Sequence, residues 1–176
     1  MSRLSDILDG ALRSALGNHI INFPTLSAQA AASPHVKTAN AIQSVIGGVT
    51  RSRAALASQS IAVTHRFDGS PVSTLDPAYV QPNQTTVTYL LAVNAAGTLA
   101  CVQGCFVGQQ ITFSGDKSKV ITGDGAIPVE PDGYVGFCLV KVTTGGASTF
   151  TPGTTNLDAA GLTVSMADCK FVPATF

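Results

Sequence analysis

The chain has 176 residues, of which 45% are apolar and only 11% charged, where an ordinary soluble domain carries about 25%. Ten basic residues balance ten acidic ones, and a formal net charge of zero excludes a protein that works by gripping bulk nucleic acid. So little charge implies a surface of small polar residues and Ala, or one largely covered in an assembly.

From the N-terminus, Leu4, Ile7, Leu8, Ala11, Leu12, Ala15 and Leu16 recur at spacings of three and four, which predicts an amphipathic helix over 1–17. Ser2 or Ser5 can cap it, Asp6 and Asp9 suit its positive end, and Gly17-Asn18 is a stop signal. A helix of about four turns is marginal alone in water, so this one must dock on its own domain or on a neighbour. Leu4, Ile7, Leu8, Leu12 and Leu16 are therefore candidate assembly contacts. The charges at Arg3, Asp6, Asp9 and Arg13 interrupt the pattern of a secretory signal.

The segment 18–60 reads as an extended arm or linker. His19 to Phe23 is apolar and β-leaning, and Pro24 ends it. The stretch from Thr25 to Ser60 is rich in Ala, Ser, Gln and Thr, with a short helix over Ala39 to Ile46 and a helix or extended stretch over Ala54 to Ala62 as the local expectations. Arg51 and Arg53 are cations of this segment and join the candidate assembly residues.

From 61 to 176 the pattern is β. Ile61 to Phe67 alternates and Asp68-Gly69 turns it. Thr86 to Val93 is the strongest strand; Asn94-Ala95-Ala96-Gly97 is a hairpin-type turn, and Leu99 to Val107 returns. Gln110 to Phe113, Tyr134 to Val142 and Leu162 to Met166 complete the set, with Lys117 and Lys119 read as a solvated loop. Strands at even spacing between Gly- and Pro-rich turns predict a mainly β protein, a small antiparallel β-sandwich or barrel with the N-terminal helix and the arm attached. No apolar run approaches the roughly 20 residues of a membrane-spanning helix.

Chemistry-bearing patterns are sparse. Cys101, Cys105, Cys138 and Cys169 lack the paired spacing of a zinc site, and buried free thiols are the expectation. His19, His35 and His65 stand in unrelated contexts, and no Ser lies in a nucleophile elbow. Glu130 is the single Glu; Asp68, Asp76, Asp124 and Asp132 precede Gly or Pro, as turn residues do. Gly115-Asp116-Lys117-Ser118 lacks the Gly that a phosphate loop needs before its Lys. No catalytic, cofactor-binding or metal-binding residues are expected.

Two stretches carry a resemblance. Pro131-Asp132-Gly133-Tyr134 opens a strand, and Thr151-Pro152-Gly153-Thr154-Thr155-Asn156-Leu157-Asp158-Ala159-Ala160-Gly161 leads into the last one. Together with Tyr89 to Gly97, these resemble small virion structural proteins of tailed bacteriophages, over roughly 86–166. The resemblance implies a capsid decoration or cement protein, located in the virion and bound to the major capsid protein or other virion proteins. It further suggests a homo-oligomer, a trimer in the leading reading, with no nucleic-acid or membrane partner. The alternative is a tail, neck or fibre component acting as an attachment or receptor-binding module. A small hydrolase or carbohydrate binder is a third reading; the absence of Trp disfavours stacking on sugars.

Overall fold

The computed structural model describes residues 17–74, 78–105, 110–113, 117–120 and 127–169. The predicted helix, and with it Leu4, Ile7, Leu8, Leu12 and Leu16, lies outside the described residues. The described chain is mainly β: twelve strands in antiparallel sheets, with no helix among the described residues.

The largest sheet takes its strands from the most apolar runs. β7 (Thr86–Asn94) and β11 (Tyr134–Thr144) lie at its centre, flanked by β8 (Leu99–Gln103) and β12 (Leu162–Asp168), in the order β12-β11-β7-β8. Alternation splits β7 between two cores. Val87, Tyr89, Leu91 and Val93 enter the larger cluster with Val135, Phe137, Val140 and Val142, while Leu90 joins Val102, Leu139 and Cys169 on the other face. Both faces of β7 are thus covered, which is why it reads as a continuous apolar run.

The buried polar residues are bonded where they cross this core. Gln81 is fully buried; its amide donates to the carbonyls of Thr85 and Val142, and its oxygen accepts from the Tyr89 hydroxyl at 3.1 Å. Its backbone pairs with Phe150, whose ring meets Tyr89 edge-on at 5.7 Å. A β-bulge in β11 between Gly136 and Cys138 is held by Glu130, whose Oε1 accepts the Gly136 N–H at 2.7 Å.

The region expected to be an extended arm is folded onto this sheet. It contributes β1 (His19–Ile20), β2 (Leu26–Ala28), β3 (His35–Thr38), β4 (Ile42–Ile46), β5 (Val49–Arg53) and β6 (Gln59–Ser60), in two sheets ordered β1-β4-β5 and β2-β3-β6. Ile20, Val36, Ile42, Ile46 and Leu56 are buried in the same cluster as Tyr89 and Phe137. The short helix expected over Ala39 to Ile46 is instead strand β4, whose residues alternate between buried and outward positions. A strand partner on each side, β1 and β5, overrides the weak local helical preference.

Two carboxylates fasten this region to the C-terminal strands. Asp168, at the end of β12, accepts the backbone N–H groups of Thr25 at 2.9 Å and Leu26 at 3.0 Å, and the Cys138 thiol donates to it as well. Asp158 accepts the Ala32 N–H at 2.8 Å. Thr25 and Ala32 both have left-handed backbones, with φ of 60° and 52°, so each carboxylate holds a conformation that costs free energy by itself.

Two other expectations need correction. Ile61 to Phe67 is not a strand: a single bridge, His65 to Val102, joins it to β8, and the N–H groups of Thr64 and His65 both donate to the Cys101 carbonyl. Lys117 and Lys119 lie on a strand, β10 (Lys117–Val120), which pairs with β9 (Gln110–Phe113), rather than in a loop. The four thiols are free and buried, as expected. Burial pushes Cys101, Cys105 and Cys169 up to about 12 and raises Cys138 further, helped by the Asp168 carboxylate, so none is a reactive thiolate near neutrality.

Candidate assembly interface

Of the candidate residues, Arg51 and Arg53 are described, and both lie on β5. Gly47 and Gly48, with φ of 61° and 74°, close the β4–β5 hairpin in the two-residue turn that such left-handed pairs favour. The register then places Arg51 opposite Ser44 and Arg53 opposite Ile42. Cross-strand partners share a face, and Ser44 and Ile42 are both buried, so the two arginines lie on the core-facing side of the sheet. β5 nevertheless overhangs the core: its first four residues are exposed, with Val49 at 48%.

Beneath the overhang runs an open notch of about 430 Å³. One wall is β5 with Arg51 and Arg53; the other is the β7–β8 turn, Asn94 to Gly97. That turn is rigid, because Asn94 Oδ1 accepts the N–H groups of Ala96 at 3.0 Å and Thr98 at 2.8 Å. The Arg53 guanidinium spans the gap, with Nη1 3.7 Å from where a side chain at Gly97 would begin. The lining contains no carboxylate, and neither arginine forms an ion pair among the described residues. The beginning of the described chain is close by: Asn18 Oδ1 accepts the Gly47 N–H at 2.8 Å at the hairpin tip.

A second concavity, of about 470 Å³, collects His65, Asp68, Glu130 and Asp132. Its groups have structural employment. Asp68 Oδ1 closes its own turn by accepting the Ser70 N–H and hydroxyl, and Glu130 holds the bulge. His65 stacks edge-on to Tyr134 at 5.5 Å, and burial lowers its pKa. Burial likewise raises the Glu130 pKa, against the opposing hydrogen bond from Gly136.

Sequence reasoning missed one contact with chemical potential. His35 Nδ1 lies 2.7 Å from Ser58 Oγ, in an exposed position between β3 and the loop before β6. No carboxylate orients this imidazole among the described residues, whereas nucleophilic Ser–His pairs rely on such a group. Among the described residues no group of three or more His, Cys, Asp or Glu is placed to hold a metal ion. Comparison with protein-family profiles, curated proteins and solved structures gives no match.

Proposed function

We propose that the chain is a bacteriophage virion structural protein, a capsid decoration or cement protein that binds the major capsid shell and stabilises it. In this reading its sheets form a small β-sandwich, it assembles as a homotrimer in the virion, and it has no catalytic, cofactor or metal site. The N-terminal stripe Leu4, Ile7, Leu8, Leu12 and Leu16 provides a further contact with the shell or a sister subunit.

The observation that carries the reading is the β5 overhang. A strand with exposed Val49, Arg51 and Arg53, held out beside a rigid turn, is costly to leave bare and suits contact with a neighbour. The residues that resemble phage virion proteins support it from the other side. They are the devices that hold the sheets together: Asp158 fastens Ala32, and Gly153, with φ of 76°, lets the backbone approach Ala62 so closely that a Cβ would lie 2.8 Å from its Cα.

The test is to add the purified chain to capsid shells assembled without it and to measure occupancy by sedimentation and electron microscopy. Decoration predicts many copies spread over the shell, raising its resistance to heat. A few copies at a single vertex would assign the chain to the tail, neck or fibre instead, and no binding to any particle would refute both.

A further inference from the structure

We infer that β5 accepts an added strand from a neighbouring protein: an extended acidic segment whose carboxylates, two residues apart, face Arg51 and Arg53. The inference rests on the assembly reading and names the chemistry of the partner.

The backbone supplies the first part. β5 is the outermost strand of the sheet β1-β4-β5, and no strand borders its other edge among the described residues. The two-residue turn makes Ile46 and Val49 the first hydrogen-bonded pair. Counting along the ladder, Arg51 and Arg53 bond to β4, while Thr50 and Ser52 turn their N–H and C=O groups outward. Neither Pro nor a bulge interrupts β5. An incoming strand would therefore bond at Thr50 and Ser52.

The charges supply the second part. Residues opposite Arg51 and Arg53 on an added strand would occupy the non-hydrogen-bonded positions, where side chains approach most closely. The two arginines are spaced about 7 Å along the same face of β5, so their partners must also be two residues apart. Guanidinium forks match carboxylates, and the notch lining offers none. An antiparallel second copy of β5 would set arginine against arginine, which disfavours self-pairing. A cation on an edge strand is often only a guard against aggregation. Here the notch beneath gives side chains of an added strand a place to lie, between the overhang and the rigid turn Asn94 to Gly97.

The experiment is an NMR titration of the full chain with capped heptapeptides, reading amide shifts and hydrogen exchange. The alternating peptide Thr-Thr-Glu-Thr-Glu-Thr-Thr should shift Thr50 to Arg53 and protect the Thr50 and Ser52 amides. Placing its two Glu side by side should weaken binding about threefold, because adjacent residues face opposite sides of a strand and one of the two exposed ion pairs is lost. Arg51→Glu with Arg53→Glu should lose at least about tenfold for the acidic peptide and regain it for the same peptide with Lys for Glu. Equal binding of the two acidic peptides, equal binding by the variant, or absence of binding would overturn the inference. So would self-association of the wild type that the double variant abolishes, since that assigns the edge to a second copy. Shell binding separates the two proposals. A chain that fills shells equally well in wild-type and variant form, and ignores the peptide, loses the inference alone. A chain that takes the peptide but no particle loses the virion reading alone.

Discussion

The region 18–60 and the four-stranded sheet β12-β11-β7-β8 are held by different means. The sheet is built from long strands, up to eleven residues in β11, whose ladders and alternating apolar side chains specify one register. The first region has strands of two to five residues, too short to be stable as free hairpins. It is kept in place by five buried apolar side chains and by carboxylates reaching back from Asp158 and Asp168. Structure that depends on distant residues can present an exposed strand such as β5 without building a core around it.

The severest way to break this comparison is to remove the first region. A chain beginning at Ser60 loses Ile20, Val36, Ile42, Ile46 and Leu56 from the core. At roughly 1.5–3 kcal/mol each, that loss rivals the whole stability of an ordinary domain. The expected outcome is a chain that aggregates or lacks β-type circular dichroism, although the sequence alone suggests that 61–176 folds by itself.

Asp168→Ala is the next largest. It takes the acceptor from the exposed Thr25 N–H and the part-buried Leu26 N–H and should cost about 1.5–3 kcal/mol in urea unfolding. Hydrogen exchange should accelerate in β2 and β3 more than in β7. Gly153→Ala should cost about 1–3 kcal/mol, since the added methyl meets Ser60 and Ala62 and the backbone is left-handed. The smallest effect is at Glu130. Its folded pKa is raised, so its contribution to stability is fully present below the unfolded value of 4.5 and is lost as pH rises through the folded value. Glu130→Gln keeps an oxygen for Gly136, should change stability at pH 5–8 by no more than about 0.5 kcal/mol, and should remove that decline. Urea midpoints of both proteins across that range check the sign.

The central sheet is legible in the sequence because β7 and β11 are long enough for their composition and flanking turns to declare them. Asn94-Ala95-Ala96-Gly97 and Asp132-Gly133 declare themselves as turns by local chemistry alone, and both border strands of the sheet. The first region is not legible, since β1 and β6 have two residues each and no two-residue strand shows a period. Nor does sequence spacing reveal that Asp168 serves backbone groups 142 and 143 residues away. Of the candidate interface, Arg51 and Arg53 stand out in the sequence as cations in a weakly charged segment. The notch does not, because its second wall, Asn94 to Gly97, is brought to them only by the docking of β4 over the central sheet.

The most direct test of the assembly account is hydrogen exchange on the chain, free and bound to shells assembled without it. The account predicts that binding adds protection over 49–53 and 95–97 while leaving β7 and β11, already buried, unchanged. New protection confined to the concavity around His65, Asp68 and Asp132, with 49–53 exchanging as in the free chain, would contradict it.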